Sequence, residues 1–321
     1  AIKLIKSGFN VVILDNLKNS DRVTIEKICS ITNKTCQFFE TDIRDKKNLK
    51  EIFEKYNFDT VFHFAGLKSI VESLDYREEY MSCNVDGTKI LIDQIKKSSV
   101  NKIIFSSSAS VYGNNLEPPW SETLKNLNPS NTYAQTKLII EKMLYSLTSE
   151  RDDLKVGILR YFNPIGSHES GLIGDRIGNS TNLVPAIINT ILGNQNFIEV
   201  FGNDYQTKDG TGVRDYIHVE DLIDGHLKAY EFIEQNKGCN VWNLGMGTGH
   251  TVIEVINCFK INSGLDIPFK IKKRRKGDLA AYWADVSKAK KELGWSTKKN
   301  LNDMVVDTLN YINLLHNDIK N

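Results

Sequence analysis

A chain of 321 residues with 40% hydrophobic content can bury a sizeable core, enough for two domains or one large domain carrying a lobe. Lysine plus arginine (41) nearly balances aspartate plus glutamate (40), and the formal charge of +1 gives no global electrostatic case for nucleic acid or an anionic membrane. Five cysteines without a C-x-x-C pair, no signal-like or membrane-spanning apolar run, and histidines without metal-ligand spacing predict a reduced, cytoplasmic protein with no metal site.

The opening "AIKLIKSGFNVVILDN" reads as a helix tail, a Ser7-Gly8 stop and a buried strand tipped by Asp15. Helix, turn, apolar strand and terminal acid are the second half of a dinucleotide-binding βαβ unit. A strand and a glycine-rich phosphate loop, roughly 15 residues, are therefore expected to belong before Ala1. The runs "CQFFETD", "DTVFHFAG", "NKIIFSSSASVYG" and "LKVGILRYFN" are strand-like, and the segments between them carry apolar residues at helical spacing. This alternation predicts an α/β fold: a doubly wound parallel sheet covered by helices over residues 1–163, and a smaller mixed α/β lobe over 164–321 with segments returning to the first domain.

Past Pro164 the stretch "SHESGLIGDRIGNSTN" is long and irregular and falls where a substrate lid is expected. Helices, the short strands "FIEVFGN", "VWNLG" and "PFKIK", and a terminal helix near "LNDMVVDTLNYINLLHND" follow. In "NLGMGTGHTVIEV" the glycines Gly245, Gly247 and Gly249 are spaced G-x-G-x-G, and no acid-tipped strand comes about 20 residues later, so this reads as a structural strand-to-helix turn.

Asp15, at the end of its strand, can accept hydrogen bonds from adenosine ribose hydroxyls, although an aspartate there is equally a turn residue. "ETDIRD" repeats the arrangement and offers Asp42 and Ile43 to an adenine; "FHFAGLKS" ends its strand in small residues that let the backbone approach a flat ligand. The most specific local group is "SSSASVYG" followed by "NPSNTYAQTK". Tyr133 and Lys137 lie four apart on one helix face, and of the 12 tyrosines only Tyr133 has a lysine at that spacing. A phenol with an ordinary pKa of about 10 is a poor base, and a neighbouring ammonium favours its phenolate. Such a tyrosine can take a proton from a sugar hydroxyl while hydride leaves the same carbon, with Ser108 hydrogen-bonding that hydroxyl.

With these motifs the chain resembles the extended short-chain dehydrogenase/reductase family, and within it the branch that epimerises nucleotide sugars. "ILDNLKNS", "NTYAQTK" and "LRYFNPIGSH" carry the likeness, as do "FGNDYQTKDGTGVRDYIHVEDLIDGH" and "RRKGDLAAYWAD", the last two being the most diagnostic. The resemblance implies NAD held by Asp15, Asn16, Asn19, Ser20, Asp42, Ile43, Phe64, Ala65, Gly66, Lys68, Lys137 and Phe162. It implies Tyr133 as base with Ser108 beside it, and UDP-galactose or UDP-glucose held by Asn163, Asn182, Leu183, Phe201, Arg214, Arg275, Asp278 and Tyr282 as well as by Ser108 and Tyr133. The implied reaction is transient oxidation at C4, through a 4-keto sugar, in a homodimer. A bulky Tyr282 is expected to crowd the sugar's C2 substituent and favour glucose and galactose over N-acetyl sugars. The family's G-x-x-G-x-x-G loop does not occur in the chain, and Cys83 stands where some members have an asparagine facing the cofactor. Two other readings stand beside this one. A nucleotide-sugar dehydratase would need an Asp-Glu pair where "SSSASVYG" has none, and a non-catalytic UDP-sugar binder would have no need of Tyr133.

Overall fold

Apolar runs become strands and capped amphipathic segments become helices along the first half of the chain. In the computed structural model, which describes residues 1–114, 117–175, 182–275 and 277–320, α1 (Ile2–Lys6), β1 (Val12–Asp15), α2 (Arg22–Thr32), β2 (Gln37–Glu40), α3 (Lys46–Lys55) and β3 (Thr60–His63) follow one another. Short helices α4 (Glu72–Asp75) and α5 (Arg77–Tyr80) run through a π-helical turn (Met81–Asp86) into α6 (Gly87–Lys96). Strand β4 (Lys102–Ser108) ends in a 3-10 turn (Ala109–Tyr112), and α7 (Thr132–Glu150) and β5 (Lys155–Tyr161) complete the series. Next come β6 (Asn163–Ile165), α8 (Leu183–Ile191), β7 (Ile198–Phe201), β8 (Val213–His218), α9 (Val219–Gln235) and β9 (Gly238–Leu244). The last elements are β10 (Gly249–Thr251), α10 (Val252–Ser263), β11 (Phe269–Lys272), β12 (Ala281–Tyr282), α11 (Ser287–Leu293) and α12 (Leu301–Lys320). The lid expected in the Gly/Ser/Asn-rich stretch falls partly on residues 176–181, outside the described residues.

Two compact units result. The first comprises Ala1–Gly113, Glu122–Tyr161 and His226–Trp242. In it β1 pairs in parallel with β2, and a separate sheet has the order β3-β4-β5-β9, with β3, β4 and β5 parallel, as the strand–helix alternation requires. Side chains fix which helix covers which face. Ser107 of β4 donates to Glu141 of α7, whereas Ile104 and its partner Gly157 face the other way, toward Ile233 of α9. Helices thus cover both faces, the doubly wound arrangement. Ile95, Phe105, Ile140, Leu144, Val156 and Ile158 are almost wholly buried between these layers, each contributing about 1.5–3 kcal/mol.

The second unit comprises Asn114–Ser121, Phe162–Gly225 and Asn243–Asn321. Strand β8 is its axis: β10 pairs antiparallel to one part of it, and β12 and β6 pair in parallel. A second, two-stranded parallel sheet joins β7 to β11. Helices α8, α10 and α12 close an apolar core around Ile187, Val255, Phe259, Met304 and Val305. The turn into α10 is a capping box, with Thr251 bonded to the Glu254 amide and Glu254 to the Thr251 amide.

The glycines before that box wrap a buried carboxylate. Asp215 accepts from the amides of Met246 (2.7 Å), Gly247 (3.0 Å) and Ala284 (3.0 Å), and a Cβ on Gly245 would come within 2.5 Å of its Oδ2. Among the described residues no helix is long and apolar enough to cross a membrane, and no cluster of histidine, cysteine and acid could hold a metal.

Candidate active site

Helix α7 begins at a defined place because the Asn131 side chain caps it, accepting from the Ala134 amide at 2.9 Å. That start puts Tyr133, Lys137 and Glu141 on one face, four residues apart, above the ends of β4 and β5. Three consecutive serines at the end of β4 then do three different things. The Ser106 carbonyl accepts from the Lys137 ammonium at 2.7 Å. The Ser107 hydroxyl donates to Glu141 at 2.5 Å, and Arg160 forks onto the same carboxylate at 2.7 and 3.0 Å. Ser108 caps the 3-10 turn, accepting from the Ser110 amide, and its hydroxyl favours the ionised form of Tyr133.

Burial dominates the electrostatics at this end of the sheet. Burial pushes the Tyr133 phenol up, and the Ser108 hydrogen bond opposes that. Lys137 is brought down to about 8 by burial, with Glu141 acting the other way. Its ammonium lies 4.9 Å from the Phe105 ring centre and 5.8 Å from that of Tyr133. An ammonium this close to a phenol favours the phenol's ionised form.

At the ends of β1 and β2 the structure joins several residues expected for adenosine. Asp15 Oδ1 accepts from the Leu17 amide and the Ser20 hydroxyl, both at 2.8 Å, so the aspartate is a turn residue. The turn uses one oxygen only, and Oδ2 points to no partner among the described residues. Asn16 donates to Asp42 at 2.8 Å, and Arg44 grips the same carboxylate twice, at 2.8 and 2.9 Å. Those Arg44 hydrogen bonds hold Asp42 well below the ordinary carboxylate range. Asn19 is exposed, whereas Ile43 is buried with its side chain directed at Gly87, so only its backbone remains for a ligand.

The loop after β3 carries Phe64, Ala65, Gly66 and Lys68, and Asn84 of the π-helical turn fixes it. Asn84 accepts from the Leu67 amide (2.7 Å) and donates to the Leu67 carbonyl and the Thr136 hydroxyl (both 3.0 Å). Gly66 has φ +153° and a Cβ there would meet Asn84 Oδ1 at 3.0 Å, so glycine answers both the backbone angle and the close approach. Phe64 is half exposed, Lys68 is exposed, and Cys83 is buried with Leu67, Tyr80 and Tyr133.

In the second unit five expected residues converge. The Tyr282 ring has the Arg214 guanidinium 4.7 Å from its centre, and its hydroxyl donates to Asn163 at 3.3 Å. Asn163 donates to the Asp215 carbonyl at 2.7 Å, Asp278 lies 3.9 Å from Arg214, and the Phe162 ring is 6.2 Å from Tyr282. Phe201 and Arg275 form a second group, the guanidinium 3.8 Å from the ring centre. Asn182 and Leu183 stand at the start of α8. Sequence reasoning missed Trp120, which stacks on Tyr282 at 4.9 Å and 7° and which no local pattern marks. It also missed Glu141, although the four-residue spacing from Lys137 was there to be read.

A family model described as GDP-mannose 4,6 dehydratase matches residues 1–308, and with the parallel sheet and the Tyr133–Lys137 pair it defines an extended short-chain dehydrogenase/reductase fold. The UDP-glucose 4-epimerase of Bacillus subtilis (strain 168) is 43% identical over 308 residues, 96% of this chain and 91% of that one. That of Dictyostelium discoideum is 44% identical over 308 residues, covering 95% and 89%. Among solved structures, a UDP-glucose 4-epimerase from Bifidobacterium longum in complex with NAD+ and UDP superposes with a TM-score of 0.94 at 42% identity, covering 98% of this chain and 94% of its own. One from Stenotrophomonas maltophila with bound NAD and formylated UDP-arabinopyranose has a TM-score of 0.95 at 39% identity, covering 99% and 94%. The chain belongs to the UDP-glucose 4-epimerase family.

Proposed function

We propose that the protein interconverts UDP-galactose and UDP-glucose with NAD as cofactor, Tyr133, Lys137 and Ser108 carrying the proton at the sugar's O4. The observation that carries the assignment of roles is the Tyr133–Lys137 couple at the end of β4, its ammonium seated on the Ser106 carbonyl. The donor set of the first unit suits the dinucleotide: Asp15 keeps an oxygen for ribose hydroxyls, and Asn16, Asn19, Ser20, Asp42 and Ile43 surround that end. Phe64, Ala65, Gly66, Lys68, Lys137 and, in the second unit, Phe162 are the remaining candidates for holding it. Bound there, NAD would supply the acceptor for hydride from C4 and the source of its return to the other face of the sugar.

Tyr133 takes the O4 proton, a step that Lys137 assists by stabilising the phenolate and Ser108 by hydrogen-bonding the same oxygen. The resulting 4-keto sugar must turn about its diphosphate link, so the nucleotide is gripped and the sugar is not. Arg214 and Arg275 fit a diphosphate, and Phe201, Asn163, Asn182, Leu183, Asp278 and Tyr282 the rest of the nucleotide sugar. Dehydratase chemistry lacks its acid and base, since Ser108 is followed by Ala109 and Ser110. A cytoplasmic homodimer is part of the proposal, supported by five cysteines outside disulfides and by the amphipathic α6 and α7. Conversion of UDP-galactose to UDP-glucose, lost in Tyr133→Phe with UDP binding retained, tests the assignment; a Tyr133→Phe enzyme of normal rate removes it.

A further inference from the structure

A second hydrogen-bonded pair stands behind the reacting end of the first unit, on the α9 face of the sheet. Tyr161 ends β5 in register with Ser108, and Leu159 in register with Ser106, so these side chains leave the sheet on the same face as Ile104 and Gly157. On that face the Tyr161 hydroxyl is hydrogen-bonded to Nε2 of His226, a residue only 2% exposed. The half-exposed Phe64 ring stacks on His226 at 5.1 Å and 27°, so the imidazole touches both the tyrosine and an expected cofactor residue.

The pair is linked to Lys137 through one residue. Tyr161 stands two residues beyond Leu159, the register partner of Ser106, so the two are diagonal neighbours on the α9 face, and the Ser106 carbonyl accepts the Lys137 ammonium at 2.7 Å. Burial pushes the Tyr161 phenol up, Ser106 opposes that and the nearby Tyr133 adds to it, so Tyr161 keeps its proton. The titratable groups around Tyr133 are Lys137 on its own helix, Tyr80 and Cys83 beside α5, and Tyr161 on β5; those around Tyr161 are Tyr133 and His226.

We propose that His226 and Tyr161 are positioning residues for the reaction, holding Ser106, and through its carbonyl the Lys137 ammonium, in the geometry that Tyr133 needs. A hydroxyl bonded to a buried ring has one orientation, whereas an unpaired one can turn and let the strand end shift. A displacement of an ångström at Lys137 costs rate without touching the diphosphate anchors of the sugar nucleotide, Arg214 and Arg275.

The inference rests on Tyr133 and Lys137 being the reacting couple, and the test separates the two. His226→Leu, His226→Gln, Tyr161→Phe and the Leu/Phe double variant are compared with the parent, each saturated with NAD. We expect kcat for UDP-galactose to fall about tenfold in His226→Leu and Tyr161→Phe with KM unchanged, and the double variant to be no worse than either single, because both break one path. Glutamine, whose amide can stand in for Nε2, is expected to restore most of the rate. Without reference to turnover, the rate at which acetic anhydride acylates Lys137 at pH 8, read by peptide mass spectrometry, should change at least twofold in the Leu and Phe variants and not in the Gln variant. Unchanged kcat and unchanged Lys137 acylation in folded Leu and Phe variants overturn the inference, as does equal loss in the Gln and Leu variants. An inactive parent whose Lys137 acylation still follows this order would overturn the functional assignment and leave the positioning role standing.

Discussion

The Lys137 ammonium donates to the Ser106 carbonyl at 2.7 Å, which seats a buried cation near the end of a strand instead of on a carboxylate. A carbonyl steadies the charge without neutralising it, so the ammonium remains able to favour a phenolate on the same helix. Burial nevertheless brings this lysine down to about 8 from its ordinary 10.5.

From this follows a pH dependence in which activity and stability part company. The folded lysine loses its proton near 8 and the unfolded one near 10.5, so between those values the unfolded chain binds more protons and stability gains as pH rises. With Lys137 in the proposed role, activity needs the ammonium and falls over the same interval. We expect kcat to decline as pH rises through about 8 while the thermal midpoint does not follow it, and Lys137→Arg, weaker at pH 7, to lose this alkaline limb. An identical limb in the arginine variant would assign the titration to another group.

Acid stability is expected to depend on His63. Its ring is buried and bonded at 2.8 Å to the Thr88 hydroxyl, which spends its own hydrogen on the Asn84 carbonyl at 2.5 Å, so His63 Nε2 is the donor. Burial, and after it the Lys137 charge, bring the imidazole from 6.5 to about 3. Between those values the unfolded state binds the extra proton, and stability falls as pH drops below about 6.5, by up to about 1.4 kcal/mol per pH unit for one proton. Urea unfolding at pH 7 and pH 5 should show this loss shrinking in His63→Gln.

The Glu141–Arg160 pair, with side chains 1% and 5% exposed, is expected to be costly to break and cheap to replace. Glu141→Ala leaves a buried guanidinium without its fork and should cost about 3–5 kcal/mol, whereas Glu141→Leu with Arg160→Met should cost less than either single change. Denaturant midpoints of the three variants decide the matter, and a double variant worse than both singles would contradict it.

Tyr282 has the Trp120 ring stacked on it at 4.9 Å and the Arg214 guanidinium 4.7 Å from its centre. A ring held by two such neighbours resists swinging aside for a larger sugar. Tyr282→Ala is expected to raise the rate with UDP-N-acetylglucosamine relative to UDP-glucose about tenfold or more, the worth of one filled pocket position. Unaltered relative rates would show that the ring does not bound the sugar.

Much of the first unit could be read directly because its signals are local. Alternating runs of period two and period 3.6 announce parallel strands and covering helices, and the Tyr133–Lys137 spacing is visible within five residues. Elsewhere the information is spread along the chain. Strand β8 shows in the sequence only as the end of "VRDYIH" before a helix, yet it is the axis of the second unit because β6, β10 and β12 come to it from 163, 249 and 281. Tyr161 and His226 meet across 65 positions, and Trp120 finds Tyr282 after a loop that has no period. Side chains that fix a site from behind are chosen by the fold's three-dimensional closure, and sequence spacing does not record it.

Asp215 has a consequence for how the second unit opens. One carboxylate holds the adjacent amides of Met246 and Gly247 and the distant one of Ala284, so these three hydrogens share a single latch. They should exchange with solvent deuterium at one common rate, and that rate reports how often the centre of the unit comes undone.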